Sequence, residues 1–162
     1  MYGKCGELGR ARKVFDEMCE RDVMSCNAVI GAYVRGGEDM EDARVVFDRM
    51  RERSLITWNT MLVGYVNCDD LSKARAVFDW MLCRDYVSWA TILIGYTKNG
   101  EMDSARGIFD SMPGKMAFCY TTMISGYLRN GRPSEALEIF HEMQRAGIEA
   151  DAVTAATVIS AL

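Results

Sequence analysis

The sequence predicts an all-α fold, an α-solenoid of stacked helix–turn–helix repeats. The first observation behind this prediction is internal repetition, because five phenylalanines recur at steps of 32, 31, 31 and 31 residues, at Phe15, Phe47, Phe78, Phe109 and Phe140. Alanines, methionines and tyrosines recur at the same period. The second observation is that each unit contains two apolar patterns of helical period. Short units of this kind bury their apolar faces against their neighbours rather than around a single core.

The period divides the chain into complete units between two partial ones. A partial unit over residues 1–22 supplies a second helix, and a partial unit over residues 152–162 supplies a first helix. The complete units are Val23–Ser54, Leu55–Asp85, Tyr86–Met116 and Ala117–Asp151. Because the first four residues match the middle of a unit, we expect the sequence to be a fragment of a longer array.

The first helix of each unit is predicted by apolar residues at positions i, i+3, i+4 and i+7. In the second complete unit this pattern puts a helix over about Thr57 to Asn67. A small residue precedes the recurring tyrosine, as Gly64 precedes Tyr65, and close approach of the backbone at this residue to a neighbouring helix is the expected reason. Breaks rich in glycine, asparagine and aspartate then end the helix.

The second helix of the same unit is predicted to begin near Asp70 and carries another apolar stripe. Alanine stands where helices cross, and the recurring phenylalanine and methionine are predicted to fill the core. An aspartate follows the phenylalanine in four copies, at Asp16, Asp48, Asp79 and Asp110. One carboxylate per unit gives no pair close enough for acid–base catalysis, so we expect a solvated face or ion pairs between repeats.

The composition excludes several classes of function. The net charge of −4 lacks the strongly basic balance of a nonspecific nucleic-acid binder. Six cysteines form no C-x-x-C pair and His141 is the single histidine, which predicts buried or half-buried free thiols and no metal or cofactor. No apolar run approaches the roughly 20 residues that span a bilayer. Because no nucleophile–base arrangement or phosphate loop is present either, the chain is not predicted to be an enzyme.

The repeated residues resemble a known family. The run VSWATILIGYTKNGEMDSARGIFDSM, with its sister copies, resembles the pentatricopeptide repeat of plant organelle RNA-binding proteins, and the resemblance covers essentially the whole chain. It implies a right-handed α-solenoid. The 31-residue units are similar to the short variant of the repeat, Ala117–Asp151 to the standard 35-residue form, and residues 152–162 to the start of a long variant. This mixture resembles the subclass associated with RNA editing or processing in mitochondria and chloroplasts.

The resemblance also implies a mode of action, in which each unit meets one nucleotide of single-stranded RNA. The fifth residue of a unit hydrogen-bonds the base edge with help from the last residue of that unit. These pairs are Asn27 with Ser54, Asn59 with Asp85, Ala90 with Met116, and Thr121 with Asp151. By family behaviour they read 5′-C-U-any-G-3′. The third unit departs from the family pattern, because neither alanine nor methionine can hydrogen-bond a base edge.

Two further sets of residues follow from the resemblance. The second residue of each unit is apolar and is implied to wedge between successive bases, at Met24, Ile56, Val87 and Phe118. Basic residues near the ends of first helices are implied to contact phosphate, at Arg35, Lys98 and Arg129, with Asn67 replacing the basic residue in its unit.

Other interpretations stay open at this point. The polar fifth residues could instead cap or brace the turns between repeats, and the apolar second residues could be ordinary packing. The alternative function is a TPR-like protein–protein interaction scaffold, which the acidic net charge favours, whereas the short unit and the polar fifth residues favour RNA. The expected partners are single-stranded RNA and organellar editing or processing proteins. We also expect self-association through uncapped ends, and a mitochondrial or chloroplast location.

Overall fold

The computed structural model describes residues 22–36 and 40–159, and every regular element among them is an α-helix. The first helices of the units are α1 Val23–Gly36, α3 Leu55–Asn67, α5 Tyr86–Lys98, α7 Ala117–Arg129 and α9 Ala152–Ile159. The second helices are α2 Met40–Arg49, α4 Leu71–Trp80, α6 Met102–Ser111 and α8 Pro133–Arg145.

These helices fall into two compact units, and the division lies inside α5, between Ser88 and Trp89. In the first compact unit, α1 packs against α2 and α3, while α3 also packs against α2 and α4. In the second, α7 packs against α6 and α8, and α9 packs against α7 and α8. Within each compact unit, therefore, helical hairpins that are adjacent in sequence are also adjacent in space.

Helix α3 begins at Leu55, two residues before the predicted start at Thr57, because Ser54 caps it. The Thr57 backbone N–H donates to Ser54 Oγ (3.3 Å), and the Ser54 backbone N–H donates to Thr57 Oγ1 (3.1 Å). This reciprocal capping box satisfies backbone donors that a helix start leaves unpaired. Helix α4 begins at Leu71, one residue after the predicted Asp70, whose carboxylate accepts the Lys73 N–H (3.0 Å).

The turns between the two helices of a unit pass through a left-handed residue. Gly100 and Gly131 take φ values of 79° and 68°, as glycine does readily. Asp69 stands at the corresponding position after α3 with a φ of 56°. Aspartate tolerates this region better than most residues because its short polar side chain can bond locally. The three turns therefore share one conformation although the second complete unit lacks glycine there.

The buried residues are the recurring ones. Among the described residues the alanine series is almost fully buried, at Ala43, Ala74, Ala105 and Ala136, and so is the methionine series, at Met50, Met81, Met112 and Met143. Phe47, Phe78 and Phe109 are buried as well, which confirms the predicted core for these positions. The earlier copies Ala11, Phe15 and Met18 lie outside the described residues.

The glycine before the recurring tyrosine makes room for side chains. A Cβ at Gly64 would lie 2.6 Å from Met40 Sδ and 2.8 Å from Val34 Cγ2. A Cβ at Gly126 would lie 3.0 Å from Thr97 Cβ. The expected close approach of the glycine backbone to a neighbouring helix is therefore confirmed at both positions. The small residue is needed because a side chain of another helix already fills the space.

The recurring aspartates make ion pairs within their own helices. Arg44 Nε lies 3.0 Å from Asp48 Oδ2, and the equivalent distances are 2.9 Å for Arg75–Asp79 and 3.0 Å for Arg106–Asp110. The expectation of a solvated face is confirmed for these aspartates, whose side chains are about half exposed, whereas their ion pairs join positions i and i+4 of one helix rather than neighbouring repeats. Such half-exposed pairs contribute about 0.3–0.5 kcal/mol each. Asp16 lies outside the described residues.

Two features of the described residues bear on the excluded functions. No described helix has the length and apolarity that crossing a membrane requires. No three His, Cys, Asp or Glu side chains within the described ranges are grouped as a metal site would need.

Cys26 and Cys119 are buried free thiols, but Cys68 and Cys83 are exposed, so the prediction of buried or half-buried thiols is wrong for the latter two. Cys5 and Cys19 lie outside the described residues.

Candidate nucleic-acid interface at the repeat junctions

Asn59 and Asp85, predicted as one pair, meet where the second complete unit joins the third. Asn59 Nδ2 donates to Asp85 Oδ1 over 3.0 Å. A third residue, Ser88, completes the cluster, because its hydroxyl lies 2.7 Å from Asn59 Oδ1 and donates to it. The Ser88 backbone N–H also donates to Asp85 Oδ1 over 2.9 Å. The amide of Asn59 thus has both of its polar ends held by the junction, while one N–H and one oxygen lone pair remain available.

The carboxyl group of Asp85 is held in its charged form. Burial alone raises the pKa of Asp85, but hydrogen bonds from the Ser88 backbone, the Asn59 amide and the Ser88 hydroxyl outweigh burial and lower the pKa below its ordinary value. A charged carboxylate can only accept hydrogen bonds. Asp85 therefore always draws the N–H side of the Asn59 amide toward itself.

The junction between the first and second complete units repeats this arrangement with a serine in place of the aspartate. Asn27 Nδ2 donates to Ser54 Oγ over 3.3 Å. The Thr57 hydroxyl donates to Asn27 Oδ1 over 2.6 Å, and Thr57 itself is fully buried. The same three positions, namely the fifth and last residues of one unit and the third residue of the next, are therefore linked at both junctions.

The junction after the fourth complete unit contains Thr121, Asp151 and Thr154. The hydroxyls of Thr121 and Thr154 lie 3.0 Å apart. Thr121 Oγ1 also lies 3.0 Å from the Ala117 carbonyl oxygen, to which it can donate, and either hydroxyl can supply the proton between the two threonines. Asp151 accepts the Thr154 backbone N–H over 2.7 Å, and hydrogen bonds from Thr154 lower the pKa of Asp151. Thr154 therefore bridges the predicted pair.

The third complete unit differs in all of these positions. Ala90 is buried, and Met116 is half exposed at 50%. The third residue of the next unit is Cys119, which is fully buried. None of these three side chains offers a strong hydrogen-bonding group, so this junction contains no counterpart of the other polar clusters.

The predicted wedge residues are all exposed, although all are apolar. Their exposed fractions are 77% for Met24, 67% for Ile56, 48% for Val87 and 47% for Phe118. Single exposed apolar residues are common, but exposure at the same position of every complete unit is a regular feature of the repeat. Interior packing does not account for it.

An open groove in the first compact unit brings several predicted site residues together. The groove has a volume of about 490 Å³. Its lining includes the polar Asn59 and Asp85, the apolar Ile56 and Val87, and Arg35. The groove is therefore lined by the predicted wedge residues of two successive units, by the polar pair and by a cation.

The three candidate phosphate ligands lie in the last turns of first helices. Arg35 belongs to α1, Lys98 to α5 and Arg129 to α7, and all three are exposed. The Arg35 guanidinium folds over Gly31, where a Cβ would lie 3.2 Å from its Nη1. Arg129 donates to the Ser125 carbonyl over 3.3 Å. Of the three, Arg35 is the one that lines the groove of the first compact unit.

Sequence reasoning missed the third residue of each following unit. Thr57, Ser88 and Thr154 are each buried and each contact the fifth residue of the preceding unit. The signal was present, since a serine or aspartate stands three residues before each of these hydroxyls, as in a capping box. Capping explains their bonds to the backbone but not their bonds to the previous unit.

Sequence reasoning also missed a basic residue placed directly before the closing residue of a unit. Arg84 Nε donates to the Phe78 carbonyl (2.9 Å) and Nη2 to the Asp79 carbonyl (3.1 Å), while its guanidinium lies 4.6 Å from the centre of the Phe78 ring. Arg53 makes the same contacts at the end of α2, with a ring distance of 4.5 Å. Each arginine caps the end of a second helix and fixes the chain just before the closing residue.

We expect Arg84→Ala to lower the free energy of unfolding by about 1 kcal/mol, because two charge-assisted hydrogen bonds and a ring contact are lost together. Thermal unfolding should show a decrease in Tm of about 2–4 °C for a chain of this size. The matched control is Arg75→Ala, which removes a half-exposed pair with Asp79 and should cost less than about 0.5 kcal/mol. Equal losses in the two variants would contradict a special role for Arg84.

The helical hairpins, the exposed apolar second residues and the polar clusters at the junctions define a helical-repeat protein of the α-solenoid class. The chain belongs to the PPR repeat family. A family model described as PPR repeat matches residues 1–23, 24–55, 56–85 and 87–115, and one described as PPR repeat family matches residues 115–162. These matches confirm the resemblance on which the sequence interpretation depends.

Several relatives match a single stretch of the chain. The pentatricopeptide repeat-containing protein At3g63370 of Arabidopsis thaliana, named as chloroplastic, is 60% identical over 38 residues, which are 24% of this chain and 4% of the relative. The protein At3g09040 of the same plant, named as mitochondrial, is 46% identical over 41 residues, which are 25% of this chain and 4% of the relative. The matched stretch thus spans a small part of each relative.

Solved structures match most of the chain. The crystal structure of the pentatricopeptide repeat protein PPR10 from maize superposes with a TM-score of 0.80 at 26% identity, over 88% of this chain and 22% of that chain. The structure of PPR10 in complex with an 18-nt psaJ RNA element gives a TM-score of 0.75 at 24% identity, over 93% of this chain and 24% of that chain. The all-α solenoid fold class predicted from the sequence is thereby confirmed.

Proposed function

We propose that the chain is a sequence-specific array that binds single-stranded RNA with one repeat per nucleotide and reads 5′-C-U-any-G-3′. The observation that carries this proposal is the groove of the first compact unit. It brings a polar pair, Asn59 and Asp85, together with two exposed apolar side chains, Ile56 and Val87, and with Arg35 on the same surface. A flat base between apolar side chains, a polar group at its edge and a cation for the phosphate are the elements of single-strand recognition.

The hydrogen-bonding groups left free on Asn59 support a base whose edge offers both an acceptor and a donor. Its amide retains one N–H and one oxygen lone pair after the bonds to Asp85 and Ser88. Uracil offers an acceptor and a donor side by side on its Watson–Crick edge, which matches this remainder. Ala90 and Met116 offer nothing comparable, in accordance with a unit that accepts any base.

The family supports the same class of ligand. PPR10 from maize, whose fold this chain shares, is named in complex with an 18-nt RNA element. By extension, we propose that RNA lies along the first helices here, with the second residues Met24, Ile56, Val87 and Phe118 between successive bases. Exposed apolar side chains at one position of each unit provide the stacking surfaces that such binding needs.

Binding of short labelled RNAs tests the proposal. An unstructured RNA that contains CUAG should bind more tightly than scrambled RNA and than DNA of the same sequence, when all three are measured by fluorescence anisotropy at one stated salt concentration. A complex of four reading units will be weak, so protein up to high micromolar concentration is needed. Equal binding of the scrambled RNA throughout that range would overturn sequence-specific recognition by this chain.

We expect Arg35→Gln to weaken binding of all RNA sequences by the same factor, because a phosphate contact carries no sequence information. If Arg35 neutralises one phosphate, the slope of log affinity against log salt should decrease by about 0.7. Titrations at several salt concentrations measure both effects. Asn67→Gln is the matched control, since it changes a last-turn residue that carries no charge. A change in base preference for Arg35→Gln would contradict its assignment to phosphate.

The location and the remaining partners follow from the family in the same way. Relatives named as chloroplastic or mitochondrial support an organellar location for the protein that contains this chain. We propose that it acts there in RNA editing or processing together with organellar proteins of that machinery, and that the isolated chain self-associates. Concentration-dependent sedimentation tests the last point.

A TPR-like protein scaffold is the second candidate. The observation in its favour is the net charge of −4, which does not favour a polyanion. The binding experiment separates the two functions, because a scaffold would show no preference between RNA sequences and no loss on substitution of Arg35.

A further inference from the structure

We propose that the third residue of the following unit is a specificity-determining positioning residue, so that each base is read by a cluster of three side chains that spans two units. The clusters are Asn27–Ser54–Thr57, Asn59–Asp85–Ser88 and Thr121–Asp151–Thr154. This inference rests on the proposed function and adds the buried hydroxyls Thr57, Ser88 and Thr154 to it.

The backbone sets the direction in which each of these hydroxyls donates. Thr57 Oγ1 accepts the Ser54 backbone N–H (3.1 Å), and Ser88 Oγ accepts the Asp85 backbone N–H (3.3 Å). A hydroxyl has a single proton, which is left to donate. The distances to the fifth residue are short, 2.6 Å from Thr57 to Asn27 Oδ1 and 2.7 Å from Ser88 to Asn59 Oδ1, while Ser88 Oγ also lies 2.9 Å from Asp85 Oδ1. At both junctions, therefore, an oxygen of the fifth residue is the shortest acceptor for this hydroxyl.

The orientation of the amide decides where its remaining donor and acceptor lie. With Oδ1 bound to the hydroxyl and Nδ2 to the closing residue, the donor and acceptor that remain have fixed positions. A rotation of 180° about the last torsion of asparagine would exchange them. Asn27 and Asn59 are held in the same orientation, so the difference between cytosine and uracil is assigned to the closing residues, Ser54 and Asp85. A residue that prevents the rotation contributes to base selectivity because it keeps donor and acceptor in place.

The two asparagine clusters should depend on the hydroxyl to different degrees. Asp85 is a charged carboxylate that only accepts, so it holds Nδ2 of Asn59 even without Ser88. Ser54 can donate or accept, and its hydroxyl also lies 3.0 Å from Thr57 Oγ1. Ser54 alone therefore does not distinguish the two orientations of the Asn27 amide. Thr57 is the group that selects one of them.

The third complete unit changes all three positions together. Ala90 and Met116 replace the fifth and last residues, and the next unit supplies Cys119 in place of a serine or threonine. A thiol is a weak donor, and this one is fully buried. Where there is no polar fifth residue to orient, the hydroxyl is absent too. Helix capping alone would require a hydroxyl at this junction as much as at the others.

The first experiment compares Thr57→Val with Thr57→Ser in the whole chain. Affinities are measured for four RNAs that differ only at the first base of the C-U-any-G site. Thr57→Val should reduce the preference for cytosine over the other three bases by about tenfold or abolish it, while Thr57→Ser should retain it. The ratio of affinities is the readout because a general loss of stability lowers both affinities equally. Circular dichroism at the assay temperature establishes that each variant is folded.

Ser88→Ala supplies the internal comparison. Because Asp85 remains, the preference for uracil at the second base should fall by less than the preference for cytosine falls in Thr57→Val. An effect of Ser88→Ala on base preference that equals or exceeds that of Thr57→Val would contradict the role assigned to the closing residue.

A gain of function provides the second experiment. Ala90→Asn with Met116→Asp installs a fifth and a last residue in the third unit but leaves Cys119. Adding Cys119→Ser should raise the preference for uracil at the third base severalfold over the double variant. The result that would overturn the inference is an equal preference in the double and triple variants together with an unchanged ratio in Thr57→Val. If the unsubstituted chain shows no base preference at all, it is the proposed function that fails, and the inference with it.

Discussion

Replacing Asn59 with threonine is expected to change the preferred second base from uracil to guanine. The variant has the same fifth and last residues, threonine and aspartate, as the unit that is proposed to read guanine. With Ser88 donating to it, the new hydroxyl would present a lone pair toward the groove, and guanine offers two donors on its Watson–Crick edge. Loss of one matched base contact and gain of another should invert the ratio of affinities by about tenfold or more.

Anisotropy titrations with CUAG and CGAG RNAs measure this inversion at one salt concentration. The reciprocal substitution, Thr121→Asn, is the matched control, because it creates the asparagine–aspartate pair in the fourth unit and should move the fourth base from guanine to uracil. If both variants keep the original preferences, the assignment of fifth residues to bases is wrong. If only one changes, the register of the RNA on the array is wrong.

The largest expected loss of stability is that of Gly64→Val. The space above Gly64 is filled by the side chains of Met40 and Val34, and even a single Cβ would come within 2.8 Å of Val34 Cγ2. The side chain of Met40 can bend away, but that of Val34 is stiff about χ1 and packs between helices. Overpacking of this kind costs about 1–3 kcal/mol, and the two methyl groups that valine carries beyond its Cβ add to this cost. Urea or thermal unfolding measures the loss.

Gly107→Ala is the matched control on another helix. No atom lies within 4 Å of a Cβ placed at Gly107, which is exposed in the middle of α6. Alanine is the better helix former, so this substitution should stabilise the chain by about 0.5–1 kcal/mol. The two glycines therefore predict changes of opposite sign. A stabilising Gly64→Val would show that α1 and α2 do not enclose this position as described.

The fold could be predicted from the sequence because it depends on repetition. The alanine, phenylalanine and methionine series fall on buried positions throughout the described residues, and each signal is reinforced by its copies. Helix starts were less predictable, since α3 begins two residues early through the reciprocal bonds of Ser54 and Thr57. Capping is a local effect of single side chains and adds nothing to the apolar period that revealed the helix.

The site could be predicted only in part, because contacts between units do not follow from the position of a residue within its own unit. The sequence suggested that Asn59 either reads a base or braces a turn. In the structure it braces the junction through Asp85 and Ser88 and still retains a donor and an acceptor toward the groove. Its two interpretations are therefore compatible. Ser88 was missed because a serine at a helix start is already explained by capping.

The hydrogen bonds that cross the three polar junctions set a limit on how the array can be cut or rearranged. Thr121 and Asp151 belong to one unit, yet the hydroxyl that completes their cluster comes from α9, in the next. A chain shortened to end at Asp151 would keep every residue of that unit and lose Thr154. The units of this protein therefore cannot be exchanged independently. A transplanted unit brings its third residue with it, and that residue belongs to the proposed base-reading cluster of the preceding unit.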